Sequence, residues 1–543
     1  MPGKFGIRAQ MTPATTSFDS LPEAWQRAFL RDRSEPARHA DPGPERRAGR
    51  MLAAFIATGL VFLVLPGTLL GVWNLVAISE HQNAAAPATA WIQAHGQAQL
   101  FGWVGSFILG ISLYVLPKFR GRSLRSFGRA WAAWACWTGG VAWHWLGIVY
   151  GLDWRAALPV SGILELVAYA LVLWVLSAPG RAARPGAKGV PSDLGSWLGI
   201  FGFLGLGVVL ATNLVISLRV ALASASPAYP LAADRVLILL SLWAFVAPMA
   251  WGYSTRFVTI FLGLNPPEHG AARWLGAGIL AAIISAFAHW FLALDLVALA
   301  MTCCAIWSLH VFHRAARPPK LAGVYRHYPG FVRLSYVWLL IGALLGLAAD
   351  LTPSMPGLGG ASRHAITVGF IALLIFSIGP RLLPSFLNGR ELASPRLMAW
   401  SLWLLVIGCA LRVSTESVAY SATGGVAWKL LPISAFIELA AVLFFALNLT
   451  LTLLEPMPAW FVESSVSADI PLYFYVTSFP KTRPLLVRAG LKTLAGARQV
   501  PKSLTLAEAA ASDGVDVSVL LSDLRKFFAA RQPKRLDRPK PET

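Results

Sequence analysis

The feature that most constrains this chain is a succession of apolar stretches of roughly 18 to 25 residues joined by short polar connections, the length an α-helix needs to cross a bilayer core. Closed β-barrels show no such runs, because their strands alternate residue by residue. With 56% hydrophobic and only 13% charged residues among 543, the chain has too little polar surface to clothe several soluble domains. The fold class expected is all-α integral membrane, with about twelve transmembrane helices. The spans read as 51–79, 93–117, 129–150, 157–178, 194–219, 235–254, 273–293, 295–313, 331–350, 362–384, 397–420 and 432–454.

Charge then orients the spans. The net charge of +20 does not point to nucleic acid, because the Lys and Arg residues gather in membrane-flanking loops and in the two tails. One set of alternate loops holds Lys118, Arg120, Arg122, Arg125 and Arg129, then Arg181, Arg184 and Lys188, then Arg256 and Arg273, then Arg314, Arg317, Lys320, Arg326 and Arg333, then Arg381, Arg390 and Arg396. The opposite set holds only Arg155, Arg219, Arg235, Arg363 and Lys429. This bias predicts a bacterial inner-membrane protein with both termini cytoplasmic. The first 50 residues lack the apolar centre of a signal peptide, so the first span is expected to stay in the membrane.

The domain plan is a basic cytoplasmic tail over 1–50, a twelve-helix domain over 51–454, a small helical cytoplasmic domain over 455–530 and a disordered basic tail over 531–543. In the third of these, Thr505-x-x-Glu508 reads as a capping box, Gly514 as a helix end, and 516–528 as a second helix. The four cysteines, Cys136, Cys303, Cys304 and Cys409, fall inside predicted helices and read as core residues rather than as a disulfide or zinc framework.

An internal repeat is visible. Leu158-Pro-Val-Ser-Gly-Ile-Leu-Glu165-Leu in the fourth helix recurs as Leu431-Pro-Ile-Ser-Ala-Phe-Ile-Glu438-Leu in the twelfth. His95 opens the second helix and His364 the tenth, and both helices close alike, with Pro117-x-Phe119-x-Gly121-Arg122 and Pro384-x-Phe386-x-x-Gly389-Arg390. The first helix of each unit ends at Asn74, Asn213 or Asp350, at nearly equal spacing. Three pseudo-repeats of four helices follow. The middle one is the most diverged, with Asp234 or Arg235 where the outer units carry histidine.

About 33 Å of helix separates His95, and about 30 Å separates His364, from the prolines at the inner ends of their helices, which places both near the outer surface. His144 and His289 fall in the same outer layer. Imidazoles at equivalent positions of the second and tenth helices can supply both axial ligands of a haem. His144 and His289 can then bind copper or a second haem. The plain alternative is that interfacial histidines only snorkel or cap helices. Intramembrane charge is costly enough to point to function, which singles out Glu165, Glu438, Arg412 and Glu416. Arg412 and Glu416, four apart, can simply neutralise each other. The repeated Glu165 and Glu438 suit a proton path, the support of a ligating histidine, or helix–helix hydrogen bonds. Most of the 22 tryptophans belong to interfacial belts. Trp103, Trp143 and Trp145, close to His95 or His144, are candidates to line a macrocycle. His310, His313 and His327 read as surface residues.

His95-Gly-Gln-Ala-Gln-Leu-Phe-Gly-Trp103 continuing to Pro117-Lys-Phe-Arg-Gly121, then Arg256-Phe-Val-Thr-Ile-Phe261, then His364-Ala-Ile-Thr-Val-Gly369 through Arg381 to Gly389-Arg390, together resemble the NnrS family, in order over most of 51–454. The resemblance implies a haem- and copper-containing bacterial membrane protein associated with nitric oxide metabolism, denitrification and resistance to nitrosative stress. The arrangement is also similar to the catalytic subunit of haem-copper oxidases and nitric oxide reductases, in which a low-spin haem hangs between the second and tenth helices. The sixth-helix histidine and the adjacent histidine pair on the seventh that build the oxidase copper site are missing here, and His289 alone remains in that region. Residues 467–528 resemble a small helical domain that often accompanies redox proteins, without the cysteines sometimes found there.

The expected function is a haem-binding, and on the resemblance copper-binding, protein that binds, senses or detoxifies nitric oxide or metal-nitrosyl species. Its expected cofactor is haem b, held by His95 and His364 with Trp103, Glu165, Glu438 and Arg412 in support; its expected partners are the lipid bilayer, nitric oxide, and an electron donor or docking protein at the C-terminal domain, with no nucleic acid. The reading from a different class is a cofactor-free transporter or permease.

Overall fold

The structure is a computed structural model and describes residues 21–34, 42–119, 124, 126–177, 193–386, 392–420, 425–454, 466–479, 481–497, 500–501 and 503–529. Arg120, Arg122, Arg125, Arg181, Arg184, Lys188, the Gly389-Arg390 motif and the tail 531–543 lie outside the described residues. All elements within them are helical, apart from one isolated bridge between Pro471 and Thr505. The described residues divide into two compact units, one lying within 48–387 and 391–455, the other within 1–47 and 456–543.

The larger unit follows α1 (Glu23–Ser34), which belongs to the smaller one. Its helices are α2 (Pro42–Phe62, running through a π-helical stretch Leu63–Leu69 into Leu70–His81), α3 (Thr89–Phe119), α4 (Phe127–Tyr150), α5 (Trp154–Ser177), α6 (Leu194–Ala223), α7 (Leu231–Leu262), α8 (Ala271–Phe287), α9 (Phe291–Ser308), α10 (Tyr328–Leu351), α11 (Gly357–Phe386), α12 (Pro395–Ala419) and α13 (Gly425–Leu454). Ten of these are long and apolar enough to cross a membrane, so the chain is a multi-pass membrane protein. The remaining two are α8, which is apolar but has only 17 residues, and α4, whose Trp, Gly and His144 dilute its aliphatic content.

Local chemistry sets the helix ends. Asp193 accepts the Ser196 backbone N–H and starts α6, and Ser394 accepts that of Leu397, followed by Pro395, at the start of α12. Gly263, at φ +67°, ends α7 where a β-carbon would run into the Arg317 carbonyl. His289 adopts φ +57° just past Phe287, so α8 stops short of the expected span 273–293 and His289 stands in the turn that follows.

Burial sorts the helices into two layers. In the most apolar 18-residue window of α3, α7 and α11, 83%, 78% and 78% of the residues are buried, against 33–50% in the other spans. The second helix of each four-helix unit is therefore central, and the others turn residues such as Trp73, Trp174 and Leu204 outward. The same three helices each contain a π-helical stretch, at Ala98–Gly105, Ser241–Val246 and Ala365–Ala372. A stretch with i→i+5 bonding is rare and recurs at functional sites; finding one in every second helix adds structural evidence for the repeat. Val72, Leu75 and Ile78 of α2 share an apolar cluster with Trp428, Leu431 and Ala435 of α13, so the last unit packs back on the first.

One expectation is corrected here. Only Cys409 is buried; Cys136 and Cys304 are half-buried, and Cys303 is exposed, because it lies on the outward face of α9.

In the smaller unit, Trp25 of α1 is fully buried in one apolar cluster with Leu472, Tyr475, Leu486, Leu520 and Leu524. Its further helices are α14 (Leu472–Ser478), α15 (Thr482–Arg488), α16 (Lys492–Gly496), α17 (Leu506–Ser512) and α18 (Val517–Ala529). Thr505 and Glu508 form a reciprocal capping box at the start of α17.

Candidate haem-binding site

His95 stands three residues before the π-helical stretch of α3, and its ring is seated on α2. Nδ1 lies 2.9 Å from the Gly67 carbonyl oxygen, inside the π-helical stretch of α2. One turn on, a β-carbon at Gly71 would come within 2.5 Å of His95 Cε1, so the imidazole occupies space that only glycine leaves. His364 is the last residue before the π-helical stretch of α11. Its Nδ1 lies 3.0 Å from the Gly360 carbonyl oxygen and 3.0 Å from Glu416 Oε2, and Glu416 Oε2 lies 3.1 Å from Arg412 Nε. Among the described residues, Nε2 of neither histidine has a protein hydrogen-bond partner.

His95, His364, Arg412, Glu416 and Glu438 lie close enough for their charges to act on one another. The fold thus brings α3, α11, α12 and α13 together at one polar cluster. The side chains of Arg412 and Glu416 are only 9% and 7% exposed, which makes their pairing a buried one. Arg412 Nε and Nη1, Glu416 Oε2 and Glu438 Oε1 are all buried without a hydrogen bond, so the contacts of Glu416 with Arg412 and His364 are ion-pair contacts. The carboxylate that reaches a histidine is Glu416, which the i,i+4 reading set aside as a partner for Arg412 alone. Glu438 instead packs its Cγ against Gly408.

Trp103, two turns along α3 from His95, is buried, meets Phe107 and Phe376 edge-on at 6.2 Å, and leaves Nε1 without a partner. Phe376 stacks on Phe445 at 3.8 Å, tying α11 to α13. Of the other candidates near His144, Trp143 is exposed and Trp145 half-buried.

His144 and His289 are not brought together. His144 is buried in α4, with Nδ1 3.2 Å from Ser161 Oγ and its ring edge-on to Tyr229 at 5.8 Å. His289 is exposed in the α8–α9 turn against Phe291. Among the described residues no group of three or more His, Cys, Asp or Glu side chains is placed to hold a metal ion.

Glu165 builds a separate network. Fully buried in α5, it accepts Gln97 Nε2 at 3.2 Å and Asn213 Nδ2 at 3.0 Å; Tyr229 donates to Asn213 Oδ1 at 2.9 Å and lies 2.6 Å from Ser217 Oγ. This joins the fourth helix of the first unit to the first helix of the second. The next junction has the same plan: Asp295 of α9 meets Asp350 of α10, which pairs with Arg235 of α7 at 2.5 Å. Asp295 escaped the sequence reading, although Leu294-Asp-Leu-Val-Ala298 repeats Leu164-Glu-Leu-Val-Ala168. Glu165, Asp295 and Glu438 are thus one position written three times.

Comparison with solved structures finds a heme-copper terminal oxidase dimer determined by cryo-EM, with a TM-score of 0.60 and 12% identity over 89% of this chain and 98% of that one. At that identity the likeness is one of fold. No curated protein matches the chain. The NnrS protein family matches residues 51–457, which takes in both histidine-bearing central helices. The chain belongs to the NnrS family.

Proposed function

We propose that this protein holds a haem between α3 and α11, with His95 and His364 as axial ligands, and uses it to bind nitric oxide or a related uncharged ligand. The carrying observation is that both imidazoles are fixed through Nδ1, by a carbonyl in one case and by a carbonyl and a carboxylate in the other, with Nε2 left over. An imidazole that ligates iron is held in this way, its second nitrogen engaged so that tautomer and ring direction are set. The surroundings fit a haem too: Trp103 supplies an apolar wall with an unpartnered indole N–H, and Arg412 supplies an unpartnered guanidinium nitrogen. A haem held by His95 and His364 would supply an iron that takes a small uncharged ligand when one of the two imidazoles gives way.

The residues orient rather than react. Gly67 and Gly71 fix the plane of His95. The Glu416 carboxylate, 3.0 Å from His364 Nδ1, would strengthen that imidazole as a donor through its charge, and Arg412 balances the carboxylate so that the cluster is not left with uncompensated charge. Copper does not find a comparable donor set in the described residues, and no step is assigned to it. The same reading places the protein in a bacterial inner membrane with both ends cytoplasmic, and gives the smaller unit the task of receiving an electron donor or docking protein. A cofactor-free transporter is the second reading, favoured by the buried carboxyl groups at the unit junctions.

Optical spectra separate the two. The detergent-purified protein should show a haem spectrum in oxidised and reduced forms that is lost or shifted in both His95→Ala and His364→Ala. A spectrum unchanged in both variants refutes the axial pair, and a colourless protein made with ample haem favours the transporter.

A further inference from the structure

On the side of the π-helical stretches away from His95 and His364, the three central helices line a partly open apolar cavity of about 100 Å³. Phe107 and Ile108 line it from α3, Val246 and Ala250 from α7, and Leu374 and Leu382 from α11. On every one of the three helices the lining begins where the π-helical stretch ends. Only two hydroxyl groups border it, and both are engaged elsewhere: Tyr253 lies 2.5 Å from Ser112 Oγ, and Ser254 donates to the Ala250 carbonyl at 2.7 Å.

These facts restrict the occupant. Water needs two to four polar partners to settle in a cavity, and the almost wholly apolar lining disfavours it. Charged and sugar-like solutes are excluded for the same reason. An engineered apolar cavity of about 150 Å³ admits benzene or xenon, so the present volume takes molecules of that size or smaller. We propose that the cavity is a binding site for a small uncharged gas collected from the bilayer. The proposal deepens the reading of the histidine cluster as a site for such a ligand, but occupancy of the cavity does not require haem.

Xenon is the probe. Xenon NMR of the full chain in nanodiscs should show a saturable shift beyond that of empty nanodiscs. Ala250→Leu, which directs extra carbons into the space, should abolish the shift, while Ile378→Ala, which enlarges it, should retain or strengthen it. The His95→Ala protein should respond like the parent, so failure of the haem reading would leave this result standing. A parent without a saturable shift overturns the proposal, as does an Ala250→Leu protein that keeps the parent's response.

Discussion

At Gly71 a β-carbon would lie 2.5 Å from His95 Cε1 and 2.7 Å from Nδ1, so even alanine must push the imidazole or the α2 backbone aside. Overpacking of this kind costs about 1–3 kcal/mol, enough to misplace a ligand without unfolding a large helical bundle. Gly71→Ala should therefore lower the haem-to-protein ratio while leaving the circular dichroism of the bundle unchanged; an unaltered haem content would show that the seat under His95 does not matter. The Arg412–Glu416 pair makes a different prediction. Removing one member of a buried pair costs about 3–5 kcal/mol, whereas replacing both with packable apolar groups is often neutral. Glu416→Leu alone should lower the melting temperature strongly, and Arg412→Met with Glu416→Leu should recover most of the loss. A double variant as unstable as the two losses combined would show that the residues are not coupled. Because Glu416 also touches His364, the haem spectrum should shift in both the single and the double variant even where stability returns.

At the scale of elements, the start of α6 is held outside the membrane-spanning segment by Asp193. Burial works against its charge, but hydrogen bonds from Ser196 and the Arg256 guanidinium at 2.6 Å outweigh it and hold the carboxyl below its ordinary value. A lowered carboxyl value stabilises the fold above the unfolded pKa of about 3.9 and loses that contribution as pH falls through the folded value. Asp193→Asn keeps a helix cap and loses only the charge. It should melt below the parent at neutral pH, by an amount that shrinks towards zero as the pH is taken below about 4. A difference that does not change with pH would assign the effect to capping. The spans, the Thr505 capping box and the outer repeats were legible because each rests on residue type at fixed spacing. The π-helical stretches were not, since one extra residue per turn leaves hydropathy unchanged. α1 was hidden in a basic tail, where only Trp25 marks a buried face. Asp295 was missed because the Leu-Pro-x-Ser stretch that precedes Glu165 and Glu438 has no counterpart before it, and Glu416 because a partner four residues away already accounts for its charge.

At the scale of the whole molecule, the alternation of basic loops requires twelve crossings, and the weakest of them is α8. Its 17 residues span about 26 Å at ~1.5 Å per residue, short of a hydrocarbon core of about 30 Å. Arg273 near its start lies over Trp274, and His289 and Trp290 follow its end, residue types that reach the interface from a short helix. If α8 crosses, three helices separate the loop after α6 from the loop after α9, and the two loops lie on opposite faces. If it does not, they share a face, and Arg314, Arg317 and Lys320 would stand outside against the charge bias. Single cysteines at Ala225 and Ala316, both exposed in these loops and introduced after replacing Cys136, Cys303, Cys304 and Cys409, decide between these. An impermeant maleimide should label Ala225→Cys in intact spheroplasts and Ala316→Cys only after permeabilisation. Equal labelling of both before permeabilisation would remove α8 from the membrane and one crossing from the middle unit, and the repeat of three four-helix units would then survive in packing but not in topology.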